Sequence, residues 1–223
     1  MTFLLHATTI ARKDLRIEVR GRHALGMVLP FAAAMLVSFG FAFGPGREIL
    51  QRTAPGLLWM ALLFAGVVAS RRAYQEEAED GALEGLLLAP VDKAAVYVGK
   101  LAAIALQLLI LAVAVLLLVV VLFDLASGSP LVLGGAFILG SVGLAAVGGL
   151  FGVVAEAART REAVFPMLVL PLATPVLIAG VRATDLAVTG ASGEALSWLG
   201  LLVAFDVVFV SVGVLVFGAL MED

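Results

Sequence analysis

VYVGKLAAIALQLLILAVAVLLLVVVLF, residues 96–123, carries a single charge, Lys100, near its start. A hydrocarbon core about 30 Å thick takes roughly 20 apolar residues of helix to cross. Only a helix or a closed barrel satisfies its own backbone hydrogen bonds in lipid, and a run of this length without polar alternation is a helix. Working outward, the stretches 24–43, 54–70, 130–155, 163–181 and 198–221 meet or approach the same length. The chain is therefore read as all-α and integral to a membrane, with six spans in one transmembrane domain over residues 1–223. Composition agrees: 62% of residues are hydrophobic and 14% charged, whereas soluble domains hold about a quarter charged. The mean hydropathy is +1.13, which excludes an ordinary soluble enzyme. With no cysteine, disulfides, thiolate metal sites, Fe–S clusters and covalent haem attachment are excluded.

Two spans need comment. The glycine-rich fourth, 130–155, is long enough to tilt or kink. The fifth contains Pro166, Pro171 and Pro175, and an internal proline removes a backbone donor and crowds the preceding turn. It is expected to be broken or re-entrant, buried in protein or lining water, with residues 182–197 adding a short outer cap.

The basic residues give the orientation. Five precede the first span (Arg12, Lys13, Arg16, Arg20, Arg22), four fall between the second and third (Arg71, Arg72, Lys93, Lys100), and two follow the fourth (Arg159, Arg161). The opposite gaps hold Arg47, Arg52 and Arg182. By the positive-inside rule both termini are cytoplasmic, as an even number of spans requires. Phe3, Leu4, Ala7, Ile10, Ala11 and Leu15 recur at helical spacing, which predicts an amphipathic helix over residues 1–20 lying in the interface. A cleavable signal peptide is the competing reading, but no basic stretch precedes the apolar run and no small-residue cleavage site follows it.

The long polar segment lies between the second and third spans, from Arg71 to about Ala95. Its acids Glu76, Glu77, Glu79 and Asp80 stop at Gly81; Leu83, Leu86 and Leu87 then fall at i, i+3 and i+4 around Glu84, and Pro90 closes the short helix. An amphipathic helix at a cytoplasmic tip suits docking of a soluble partner in a groove. The alternative is a spacer adsorbed on lipid, against which the carboxylates argue, since anionic membrane surfaces repel them.

The stretch Asp80-Gly-Ala-Leu-Glu-Gly-Leu-Leu-Leu-Ala-Pro90 resembles the Gly-x-Leu-Glu-x-Leu-Leu-x-x-Pro signature of ABC-2-type transporter permeases. Within that superfamily the chain is most similar to the heme exporter protein B family of the cytochrome c maturation system. Ala54-Pro-Gly-Leu-Leu-Trp59, the 71–90 segment, the chain length and the six spans carry the likeness. Ala89 stands where the signature usually has serine. The resemblance implies a permease whose region 76–90 is a coupling helix resting on an ATP-binding cassette subunit. It also implies a second copy of the chain, a separate haem-handling membrane subunit, and location in the inner membrane. Haem enters as cargo, delivered or released to a periplasmic haem chaperone. The chain is not expected to be an enzyme, and no cofactor or metal is expected to be bound by it. A permease exporting a drug, lipid or polysaccharide is the alternative within the superfamily, and a scaffold without a conduit remains open.

Further residues fit or limit this reading. A phosphate-cradling Gly-x-x-x-x-Gly-Lys-[Ser/Thr] loop is absent, because Gly99-Lys100 is followed by Leu101 and preceded by Ala94 at the first glycine position. ATP is thus assigned to a partner chain. His6 and His23 lie in the cytoplasmic N-terminal region, where interfacial roles outweigh haem ligation, and Met27, Met35, Met60 and Met167 read as packing residues. Trp59 and Trp198 sit near the outer ends of their spans, as belt residues do. Asp206 is the one acid inside a span; a proton-relay or carrier role competes with a neutral or helix-bonded carboxyl. Gly148 and Gly152, with Ser141, Ala145 and Gly149 beside them, suit close helix packing. Glu156 and Arg159 are spaced to pair or to meet the ATPase. Nothing points to nucleic acid; the lipid bilayer is the other partner.

Overall fold

The computed structural model describes residues 2–21, 23–44, 46–79, 92–125, 128–157 and 164–220. They form seven helices: α1 (Thr2–Gly21), α2 (His23–Phe43), α3 (Arg47–Glu79), α4 (Lys93–Phe123), α5 (Pro130–Ala157), α6 (Val164–Thr189) and α7 (Ser192–Leu220). Among the described residues no strand occurs. Helices α2 to α7 are each long and apolar enough to cross a membrane, so the chain is an all-α membrane protein of six spans.

Helix α5 is the centre of the bundle and packs on α3, α4, α6 and α7. Lipid gives apolar helices no reason to leave it for one another, so close approach over small residues has to supply the contact. Gly148 lies against Ser70 of α3, and Gly152 against the ring of Tyr74 one turn further on. The apolar stretches of α3 and α5 are the most enclosed, those of α2 and α7 the least.

Several expectations need correction. The fifth span is not broken: α6 runs unbroken through Pro171 and Pro175. Pro166 stands in the first turn, where backbone N–H groups lack intrahelical acceptors in any case. Pro171 and Pro175 are four apart and share the exposed side, so both lost bonds fall on one side of the helix. Leaving the helix in lipid would forfeit further bonds that no water replaces. Nor do residues 182–197 form a separate cap. Helix α6 continues to Thr189, the chain turns at Gly190 with φ +86°, and α7 starts at Ser192. Glycine adopts that left-handed conformation without a Cβ penalty.

The helix that carries the second span extends beyond the expected 54–70 at both ends, from Arg47 to Glu79. Gln75, Glu76, Glu77 and Ala78 are good helix formers, and no breaker precedes Gly81. Thus the first third of the polar segment continues the spanning helix. The earlier start leaves Trp59 roughly 18 Å from the helix end at 1.5 Å per residue. It is not a belt residue: its indole is fully buried, enclosed by Gly140 and Gly180 and tilted on Phe137. Its Nε1–H donates to Thr184 Oγ1 at 3.0 Å, joining α3, α5 and α6.

Helix α1 forms over the expected N-terminal segment and leans on the start of α4. Of its expected apolar face only Leu4 is exposed, whereas Ala7 is buried and Phe3, Ile10, Ala11 and Leu15 are half-buried. Gly99 permits the approach, since a Cβ there would meet the Ala7 carbonyl at 2.7 Å. Leu4, Leu5 and Ile17 remain on the open side.

Candidate coupling site

The candidate docking segment joins the last turn of α3 to the first turn of α4. Glu76, Glu77 and Glu79 lie on that last turn of α3; Asp80, Gly81, Leu83, Glu84, Leu86, Leu87 and Pro90 lie outside the described residues. The chain re-enters at Asp92, whose Oδ1 accepts the Ala94 N–H at 2.9 Å and caps α4. A side-chain cap of this kind supplies one of the acceptors the first helical turn lacks. The downstream flank of the segment is therefore a capped helix start.

Immediately inside the ends of α3 and α4 lies a collar of polar and aromatic groups. Tyr97 of α4 donates its hydroxyl to the Ala146 carbonyl of α5 at 3.2 Å and presses on Gly213 and Phe217 of α7. Tyr74 of α3 stands on the glycine face of α5. One turn beyond Tyr97, Lys100 is 1% exposed. Its Nζ donates to the Ala73 carbonyl at 2.7 Å, lies 5.0 Å from the centre of the Tyr74 ring, and faces Asp14 Oδ2 of α1 at 3.7 Å. From the sequence, Lys100 counted only as a positive-inside marker, and Asp206 stood as the lone intramembrane ionisable group. The structure adds Lys100 as a second buried one. The available signal was a lysine inside an otherwise uncharged run, which by default has a partner or a task.

Asp206 of α7 lies at the crossing with α5, its Oδ1 2.8 Å from where a Cβ on Gly143 would stand and with Val176 of α6 beside that point. The residue is 7% exposed and neither carboxyl oxygen has a hydrogen-bond partner. It is thus not bonded to a neighbouring helix of its own chain. Glu156 ends α5 with its side chain undescribed, and Arg159 lies outside the described residues. His6 is half-buried on α1. Met27, Met60 and Met167 are exposed on the apolar outside of the bundle. Among the described residues no three His, Asp or Glu side chains converge as a metal site.

At the other end of the bundle Arg47 pairs with Asp124, Arg52 with Glu48 at 3.1 Å, and Gln51 Nε2 donates to the Asp124 carbonyl at 2.6 Å. Two of the three basic residues on that side are thus paired with acids.

With this architecture in view, a family model described as CcmB protein matches residues 5–222. The chain belongs to the CcmB family. Several relatives carry the name "Heme exporter protein B", and those from Rhodobacter capsulatus and Pseudomonas aeruginosa match along most of their length. The protein of that name from Rhodobacter capsulatus is 31% identical over 184 residues, 82% of this chain and 83% of the relative. The one from Pseudomonas aeruginosa is 31% identical over 206 residues, 86% of each chain. In Escherichia coli K12 the likeness is 33% over 94 residues, 42% of this chain and 43% of the relative. The CcmB match takes in nearly all of α1 and all six spans, so the collar and the segment it flanks lie within the matched residues.

Proposed function

We propose that this chain is the permease subunit of an ABC-type assembly that delivers or releases haem during c-type cytochrome maturation. The observation that carries this is the match of the CcmB family over residues 5–222, on a bundle of six spans. The chain supplies no nucleotide-binding loop, so ATP hydrolysis belongs to a separate ATP-binding subunit. That subunit docks on region 76–90, with Glu76, Glu77, Glu79, Asp80 and Glu84 offering charge and Leu83, Leu86 and Leu87 an apolar face between Gly81 and Pro90. Support comes from the two capped or continuous helix ends that bound the segment: force applied there passes directly into α3 and α4. The excess of Lys and Arg at this end supports the reading that it faces the cytoplasm, both termini with it, in the inner membrane. A second copy of the chain and a haem-handling membrane subunit complete the assembly, and α2 and α7, the least enclosed spans, are the faces free to meet them.

Replacing Glu84 by Lys, or Leu86 and Leu87 by Asp, tests the docking role. The ATP-binding subunit is expected to be lost from the purified membrane assembly and covalent haem on c-type cytochromes to fall, with the chain itself still inserted at normal yield. Retention of the subunit together with normal cytochrome levels would remove the docking role from this segment.

A further inference from the structure

Among the described residues Lys100 is the buried basic side chain, and a cation in a membrane bundle is retained at a cost that its partners must offset. Its Nζ meets groups on two other helices, α3 and α1. The Ala73 carbonyl lies six residues before the end of α3, and Lys100 itself lies eight residues after Asp92, so the ammonium bridges the two strands of helix that lead to and from the docking segment. Asp14, with which it forms an ion pair, is on α1. The adjoining Gly99 brings α1 against α4 at Ala7 and Ile10, so this point fixes α1 to α4 by packing as well as by charge.

The two arms differ in kind. At 2.7 Å the contact to the Ala73 carbonyl is a short hydrogen bond, while 3.7 Å to Asp14 Oδ2 is an ion pair beyond hydrogen-bond reach. Oδ2 accepts no hydrogen bond, and Asp14 has a second cation available, Lys13 Nζ at 3.2 Å from Oδ1. The Asp14 arm is therefore the longer and weaker one, and Asp14 keeps Lys13 as a cation partner when that arm lengthens. We infer that Lys100 is a positioning residue whose link to Asp14 carries displacement of the docking segment into α1, with the Ala73 carbonyl as its fixed arm. This rests on the docking reading given above and adds the route by which α1 takes part. Helix α1 keeps Leu4, Leu5 and Ile17 on its open side, so a change at Asp14 tilts or shifts a helix whose other face lies in the bilayer interface.

The test uses the absence of cysteine from the chain. A spin label is placed on Thr8→Cys, an exposed site on α1, in the full assembly with its ATP-binding subunit in nanodiscs. A non-hydrolysable ATP analogue is expected to change the label's mobility. With Lys100→Met or Asp14→Asn added, the ATP-binding subunit is expected to co-purify at unchanged yield, the label to lose its response, and cytochrome c maturation to drop roughly tenfold, within the usual range of coupling between sites. Asp14→Asn preserves side-chain shape, so it decides the matter should Lys100→Met fail to assemble. An unaltered nucleotide response in the variants, or none in the unsubstituted assembly, overturns the inference, and lowered thermal stability with the response intact marks Lys100 as structural only. Failure of the ATP-binding subunit to co-purify even with the unsubstituted chain would instead overturn the docking reading.

Discussion

Trp59 shows how one residue can tie three helices. Its ring fills a slot that two glycines open, and its indole N–H is satisfied by Thr184. Trp59→Ala is expected to cost about 3–5 kcal/mol, as truncation of a large buried aromatic generally does, measured as a fall in the thermal midpoint of the detergent-solubilised chain. Thr184→Val should cost only about 1 kcal/mol, the net worth of one hydrogen bond. Equal losses for the two would mean that the hydrogen bond, and not the packing, holds the slot together. Asp206 is buried with no hydrogen-bond partner for either carboxyl oxygen. Asp206→Asn is nearly the same shape and neutral, so assembly and cytochrome c maturation are expected to be kept; a loss of maturation with normal assembly would show that the carboxyl's proton is used. Little of this was legible beforehand. A tryptophan in a membrane sequence reads as a belt residue unless the helix boundary is known, and Trp59 lies about two turns deeper in its helix than its apolar run suggests. Lys100 was missed for a related reason: its charge served the topology rule whether it faced water or protein.

At the scale of elements, the apolar runs located all six spans, because length and lack of charge are set by the bilayer itself. The ends were less visible. Residues 71–79 look like loop by polarity yet continue α3, since Arg, Gln, Glu and Ala favour helix and nothing stops them before Gly81. The prolines of α6 misled in the opposite direction: rules learnt in water overstate what a proline does where the backbone has no other place for its hydrogen bonds. The glycine face of α5 carries its own prediction. Gly148→Leu or Gly152→Leu would drive a side chain into Ser70 or Tyr74, and overpacking of this sort is expected to cost about 1–3 kcal/mol or force the helices apart. Reduced thermal stability in detergent would register it, whereas unchanged stability would mean that α3 and α5 have room to separate. Gly134→Leu is the control, because a Cβ there meets nothing within 4 Å.

For the whole molecule, charge decides orientation and the bundle decides what orientation is for. The collar of Asp14, Tyr74, Tyr97 and Lys100 sits at the end that holds the docking segment, and the paired arginines Arg47 and Arg52 sit at the other. Single cysteines placed in the cysteine-free chain at Thr8 and at Thr189 should therefore react with a membrane-impermeant maleimide from opposite sides, Thr189→Cys in intact cells and Thr8→Cys only after permeabilisation. The reverse pattern would invert the topology and detach the docking segment from the cytoplasm. The central claim is that this chain works only as the membrane part of a larger ATP-driven, haem-handling assembly. Its most direct test is the identification of the polypeptides and haem that co-purify with the tagged chain from native membranes. The account predicts an ATP-binding subunit and a haem-handling membrane subunit, with no ATP hydrolysis by the chain alone. Recovery of the chain without either partner, from cells that are actively maturing c-type cytochromes, would contradict it.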